Sequence, residues 1–153
     1  MAVYVVTFAA VAAAAPQDLV ELPTPATRRI KILGWEIGQS TEAGDAADEQ
    51  IRLELIRGHA TSGSGGSAFT AIPLDPAESA SLLTGIEINN TTLASTGTPL
   101  VLHATAFNVR AGHIWIPTPD MRPSVAVSSR VVLRMNSTPA DSISFSGSLY
   151  FEE

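Results

Sequence analysis

Apolar and polar residues alternate with a period of two along much of this chain. The pattern is clearest near the C-terminal end, where serine occupies every second position from Ser142 to Ser148. The opposite register carries Ile143, Phe145, Gly147, Leu149 and Phe151. Because neighbouring side chains of a β-strand point to opposite faces of its sheet, this segment predicts a strand with one buried face and one hydroxyl-lined face.

Less regular alternation predicts further strands within residues 2–12, 29–38, 51–56, 100–107, 113–116 and 125–135. Segment 2–12 is apolar on both faces, so we expect it to be covered on both. The alternation changes phase at Leu33 and Gly34, which predicts a β-bulge there. Turn-rich residues 108–112 and 136–141 predict hairpins between the strands that flank them.

Helix signals are confined to one place. Asp75 suits an N-cap, Pro76 the first helical position and Glu78 the third, which predicts one short helix over residues 75–83. Many strands with turn signals and no strand–helix alternation predict an all-β fold. We expect a two-sheet antiparallel sandwich, most simply a jelly roll, that forms a single β-sandwich domain spanning all 153 residues.

Charge and composition exclude several classes of function. The net charge is −6 and the chain has one lysine, Lys31, so no basic stripe is available to bind nucleic acid. Cysteine is absent, which excludes disulfides and thiolate metal sites. The apolar N-terminal run is shorter than the ~18 residues of a membrane span, so we interpret it as a strand and expect no membrane partner. Charged residues make up only 16%, which fits a surface covered by serine and threonine but modestly favours one partly covered by partner subunits.

Residues 63–68 read Gly-Ser-Gly-Gly-Ser-Ala and match the G-x-G-x-x-G/A pattern of dinucleotide-binding proteins. Glu87 stands at about the distance at which such proteins place their ribose-binding carboxylate. Those proteins begin a helix at the glycines, whereas residues 69–73 have no helical period and end in Pro73. We therefore expect a mobile Gly/Ser loop between two strands, and no cofactor.

His59, His103 and His113 are the candidate metal ligands, but none has the spacing of a metal site. We expect them to fill half-buried strand positions, with no metal bound. The chain has no G-x-S-x-G elbow, so we expect no catalytic residue and no enzyme activity. A triad assembled from His59 or His103 with a distant Asp and Ser remains open.

Two further groups of residues have alternative interpretations. The acidic segment with Glu42, Asp45, Asp48 and Glu49 lacks the residue order of an EF-hand, so a solvated loop is expected rather than a calcium site. Trp35 and Trp115 could form a platform for stacking a sugar, although a strand tryptophan more often belongs to a core or an interface.

Four stretches together resemble small structural proteins encoded by tailed bacteriophages. They read IRGHATSGSGGS (56–67), EINNTT (87–92), FNVRAG (107–112) and GSLYFEE (147–153). The resemblance implies a virion component on the capsid surface, with capsid decoration (cement) as the expected role. It also implies that the partners are other copies of the chain, as a homotrimer, and a major capsid protein. It assigns no functional residue.

The expected function is therefore that of a capsid decoration protein that stabilises the phage head by bridging capsid subunits. A tail or baseplate protein is the alternative within the same class. A carbohydrate-binding jelly roll that uses Trp35 or Trp115 is the alternative from another class.

Overall fold

A computed structural model describes residues 1–40 and 48–153, and it consists almost entirely of β-strands, as predicted. The strands of the described residues are β1 (Val3–Ala13), β2 (Gln17–Pro23), β3 (Ile30–Gln39), β4 (Gln50–Arg57), β5 (Ser67–Phe69), β6 (Ile72–Pro73), β7 (Ile86–Asn90), β8 (Leu100–Asn108), β9 (His113–Trp115), β10 (Ser124–Val125), β11 (Arg130–Met135) and β12 (Ile143–Glu152). A 3₁₀ turn at Pro119–Met121 is the helical element of this part of the chain.

The strands form two antiparallel sheets that pack against each other. The first sheet has the order β10-β3-β12-β1-β6, with β9 also paired to β3. The second sheet has the order β5-β7-β2-β11-β4-β8. The pairing is nested: β1 pairs with β12, β2 with β11, β3 with β9 and β10, and β4 with β8. The two packed antiparallel sheets confirm the predicted β-sandwich, and their nested pairing is the strand arrangement of a jelly roll.

The apolar core lies between the sheets, because alternate side chains of both sheets point inward. In β12, Ile143, Phe145, Leu149 and Phe151 are buried, which confirms the strand predicted from the serine alternation. The largest fully buried side chains are Trp35, Phe145, Phe151, Leu19, Leu22, Ile30, Ile32, Ile51, Leu53, Leu55, Ile86 and Leu133. Burying one such aliphatic or phenyl side chain contributes about 1.5–3 kcal/mol to folding.

The bulge predicted at Leu33 and Gly34 is confirmed, whereas the prediction for segment 2–12 is only half right. Tyr150 pairs with Gly34 and Phe151 with Ile32, so Leu33 is the extra residue of β3. Segment 2–12 forms β1, but Thr7 and Ala9 on its outer face are exposed. Small and hydroxylated side chains tolerate that exposure, so the strand needs no cover there.

The helix predicted over residues 75–83 is wrong. Asp75 starts only a turn, in which its carbonyl oxygen accepts from the Glu78 amide at 3.1 Å and its side chain accepts from Ala77 at 2.9 Å. Beyond the turn, long-range hydrogen bonds replace helical ones. The Tyr4 hydroxyl donates to the Ser79 carbonyl at 3.0 Å, and the Leu82 amide donates to Glu153 at 2.9 Å. These contacts tie the segment to the first sheet without helical hydrogen bonds.

The hairpins predicted around residues 108–112 and 136–141 are also wrong. β8 and β11 belong to the second sheet, whereas the strands that follow them, β9 and β12, belong to the first. Turn residues specify that the chain reverses, but they do not specify which sheet it enters. Within the described residues, no helix is long and apolar enough to cross a membrane.

Candidate interaction surfaces

The Gly/Ser run at residues 63–68 is fixed against the outer face of the second sheet. The Gly63 amide donates to Glu21 Oε2 at 2.9 Å, and the Gly66 amide donates to Asn90 Oδ1 at 3.2 Å. Ser64 exchanges backbone hydrogen bonds of 3.0 and 2.9 Å with Thr92. The run leads directly into strand β5 rather than into a helix. It is therefore a hydrogen-bonded cover, in contrast to the mobile loop that its composition indicates.

The glycines of this run are required by close packing. Gly65 has a φ of +86°, a conformation that side chains with a Cβ rarely adopt. A Cβ on Gly66 would overlap the Ile88 carbonyl oxygen and would lie 2.7 Å from Asn90 Oδ1. The glycines that match the dinucleotide-binding pattern thus allow the backbone of residues 63–68 to pack closely against β7.

Glu87, the candidate ribose ligand, takes part in the same packing. Its Oε2 accepts from Asn90 Nδ2 at 2.8 Å and lies 3.4 Å from the Ser62 hydroxyl, which also donates to Glu21. Asn90 Nδ2 donates in addition to Glu21 Oε2, at 3.1 Å. The Glu87 carboxylate therefore positions the Asn90 side chain, which in turn accepts the hydrogen bond from Gly66 of the cover.

Beneath the cover lies a buried ionic layer, formed by Asp18, Glu21, Arg130 and Arg134 on the outer face of the second sheet. Arg134 donates to both oxygens of Asp18, at 2.6 and 3.0 Å, and Arg130 is ion-paired with Glu21. Asp18 also accepts from the Ala94 amide at 2.7 Å. Both carboxylates are fully buried. Sequence reasoning missed this layer because β2 has no clean alternation, and its arginine partners lie more than a hundred residues away.

His59 borders the ionic layer and is itself buried. Burial lowers its pKa, the nearby Arg134 charge lowers it further, and Asp18 and Glu21 oppose the effect. Ser62 donates to Glu21 rather than to this ring. Ser62 and His59 are therefore not paired as a nucleophile and its base.

His103 and His113 lie in an aromatic cluster between the edges of the two sheets. The His103 ring centroid lies 4.5 Å from that of Trp115, and the His113 centroid lies 5.9 Å from that of Phe107. Burial lowers the pKa of both histidines, and the neighbouring His113 lowers that of His103 further. Within residues 1–40 and 48–153, no group of three or more histidines and carboxylates is arranged to hold a metal ion.

The histidines predict that acid destabilises the protein. All three have a pKa below the ordinary 6.5 in the folded state, so below that pH the unfolded chain binds protons more readily. We expect the free energy of unfolding to fall from about pH 7.5 to about pH 5.5, measured by urea denaturation. His59→Asn should reduce the difference between the two values. A free energy that stays constant or rises on acidification would contradict this expectation.

The tryptophans do not form an open platform. Trp35 is only 1% exposed, and its ring centroid lies 4.2 Å from that of Trp115. Trp35 therefore offers no free face on which a sugar could stack.

The acidic segment lies partly outside the described residues, which exclude Glu42 and Asp45. Of its other two members, Asp48 accepts from the Asn108 side chain and Glu49 accepts from the Ala140 amide at 3.0 Å. These two carboxylates hold neighbouring loops.

An apolar groove of about 230 Å³ opens on the outer face of the first sheet. The apolar side chains that line it are those of Val3, Leu33, Leu74, Ile114, Ile116 and Tyr150, whereas Trp35, which also borders it, is buried. Ile116 is 74% exposed, Ile114 65% and Leu74 55%. Three large aliphatic side chains exposed together mark a surface suited to contact with another protein.

Strand β8 forms a second surface of this kind. It is an edge of the second sheet and pairs only with β4 in the described part of the chain. None of its nine residues carries a permanent charge. Leu100 and Val101 at its start are more than half exposed. An uncharged edge of this length is free to accept another strand.

In comparisons with known proteins, the chain matches no protein-family model, no curated protein and no solved structure.

Proposed function

We propose that the chain is a structural component of a bacteriophage virion, a capsid decoration protein that stabilises the head by bridging capsid subunits. Its partners would be a major capsid protein and other copies of the chain, bound as trimers where capsomers meet on the capsid surface. Binding would bury surface, without nucleic acid, membrane, metal or cofactor. The resemblance of residues 56–67, 87–92, 107–112 and 147–153 to phage structural proteins led to this proposal.

The apolar groove on the first sheet is the observation that carries the proposal. Leu74, Ile114 and Ile116 expose large aliphatic surface that water solvates poorly, so covering them with a capsid subunit is favourable. Glu36 and Arg122 also line the groove and supply polar groups around an apolar centre. This is the composition of specific protein interfaces.

The packing of the second sheet supports a role in stabilising the capsid. Its outer face is closed by hydrogen bonds from Gly63 and Ala94 to buried carboxylates. A face held by such hydrogen bonds changes shape little when a partner binds, so little of the binding free energy is lost to ordering its loops and side chains. A rigid block that joins neighbours is what a capsid-stabilising protein requires.

The carbohydrate-binding alternative loses one of its two residues, because Trp35 is buried. A tail or baseplate protein would use the same kind of surface. Locating the protein in the assembled particle by electron microscopy separates a head position from a tail position. Density on the head exterior supports the proposal, and density confined to the tail overturns it.

A binding experiment tests the role of the groove. Ile116→Asp places a charge at its most exposed apolar position, and we expect at least about tenfold weaker binding to heads that lack the protein. Co-sedimentation with such heads measures the binding, and urea denaturation checks that folding is unchanged.

Leu82→Asp is the matched control, because Leu82 is half exposed and does not line the groove. Equal binding by wild type and Ile116→Asp would remove the groove from the capsid contact.

A further inference from the structure

We propose that β8 is a self-association strand: the β8 strands of two copies pair antiparallel about a two-fold axis and join two second sheets into one. The inference does not depend on the virion role. It rests on the chemistry of this one edge.

The strands at the other sheet edges of the described residues are short. β6 covers only Tyr4 and Val5 of β1, and the rest of that strand is interrupted by a bulge between Phe8 and Val11. β5 and β9 have three residues each, and β6 and β10 have two, with Pro73 in β6. Short length and proline are devices that keep an edge from pairing with another chain. β8 has nine residues and no proline. Its one irregularity is a bulge at Leu102, since Leu55 pairs with His103 and Ile56 with Val101. Residues 103–107 remain a regular edge without a second partner strand in the described residues, whereas the Asn108 carbonyl already accepts from the Ala111 amide at 2.9 Å.

The composition of β8 suits pairing with itself. In a two-fold antiparallel pair, each residue faces a residue of the same strand in the second copy, so a charged strand would oppose like charges. β8 has no permanently charged side chain. With the axis at Thr105, the two threonines face each other and Ala104 faces Ala106 of the second copy. On the outer face, the small alanine methyl groups of the two copies then allow the strands to approach closely. The two threonine side chains can form a hydrogen bond with each other.

Apolar surface beside the strand adds to the contact. Leu100, Val101 and Val127 are exposed at 51, 54 and 43%. Leu100 and Val127 line one groove of about 510 Å³ at the beginning of β8. Main-chain pairing alone covers little area, whereas specific association needs about 800 Å² per partner. With the axis at Thr105, Leu100 and Val101 lie at the two ends of the paired segment, opposite the turn that follows β8 in the second copy.

The contact is distinct from the apolar groove, which lies on the first sheet. On a capsid, trimers would be set by the capsid sites, and β8 would join copies across two-fold positions. In solution, away from any capsid, the contact predicts a dimer.

The experiment measures the molar mass of the full chain by light scattering during size-exclusion chromatography. We expect a dimer for the wild type and a monomer for the double variant Ala104→Lys/Ala106→Lys, which opposes like charges across the axis. Mixing it with Ala104→Glu/Ala106→Glu should restore a dimer that neither variant forms alone.

Ala9→Lys/Ala12→Lys is the matched control, because it makes the same change at exposed positions of β1. It should remain a dimer, and urea denaturation should show that all variants fold. A wild-type monomer, a wild-type trimer, or a dimer that persists in Ala104→Lys/Ala106→Lys would overturn the proposal. None of these outcomes changes the result of the head-binding assay with Ile116→Asp. The capsid contact of the groove and the self-association of β8 can therefore be rejected independently of each other.

Discussion

Replacing Asp18 with alanine is expected to lower the free energy of unfolding by about 3–5 kcal/mol, the cost of breaking a buried ion pair by removing one partner. Asp18 is fully buried and accepts two hydrogen bonds from Arg134. Its loss leaves the Arg134 guanidinium without its carboxylate partner and removes the acceptor of the Ala94 amide. Urea denaturation near neutral pH measures the change.

Two further variants show whether the cost comes from the stranded charge. Asp18→Ala combined with Arg134→Met removes both charges and should recover part of the loss, because no uncompensated ion stays buried. Asp120→Ala removes an exposed carboxylate and should change the free energy by less than about 0.5 kcal/mol. If Asp18→Ala behaves like Asp120→Ala, the buried Asp18–Arg134 ion pair does not stabilise the fold.

Replacing Gly66 with alanine is expected to cost about 2–3 kcal/mol. The new methyl group would overlap the Ile88 carbonyl oxygen and would lie 2.8 Å from the Asn89 carbonyl carbon. These are backbone atoms of a paired strand, so they cannot move aside as a flexible side chain would. The Gly/Ser run would have to shift away from β7, which would weaken its hydrogen bond to Asn90. Chemical denaturation again gives the magnitude.

Gly38→Ala is the matched control for this substitution. Gly38 also lies beside a paired strand, but an added Cβ there meets nothing within 4 Å. We expect a change of less than about 1 kcal/mol, which can be stabilising because alanine restricts the unfolded chain. Equal losses at both positions would mean that backbone freedom, and not packing, explains the glycine at position 66.

The parts of the fold that could be predicted are those set by local patterns. β12 can be predicted from its own ten residues, because inward apolar residues alternate with outward polar ones. The bulge at Leu33 is likewise visible as a change of phase within β3. The helix at residues 75–83 fails because Tyr4 and Glu153, which are distant in sequence, bond its backbone in another form.

The buried ionic layer and the Gly/Ser cover could not be predicted for the same physical reason. With Asp18 and Glu21, the sequence of β2 alone predicts an exposed segment. Only the ion pairs with Arg134 and Arg130 explain why both carboxylates are buried. The run at residues 63–68 has the composition of a flexible linker until its register with β7 shows what each glycine contacts. In both cases the deciding contact is made by a distant strand.

The nested strand order also determines when each sheet can form. β1 ends at Ala13, and its partner β12 begins only at Ile143. The amide and carbonyl of Ala2 even exchange hydrogen bonds, of 3.3 and 3.2 Å, with Glu153. Closing so long a loop costs entropy before any contact repays it. β1 is therefore synthesised well before β12 and gains its long ladder only after the strands between them have been made.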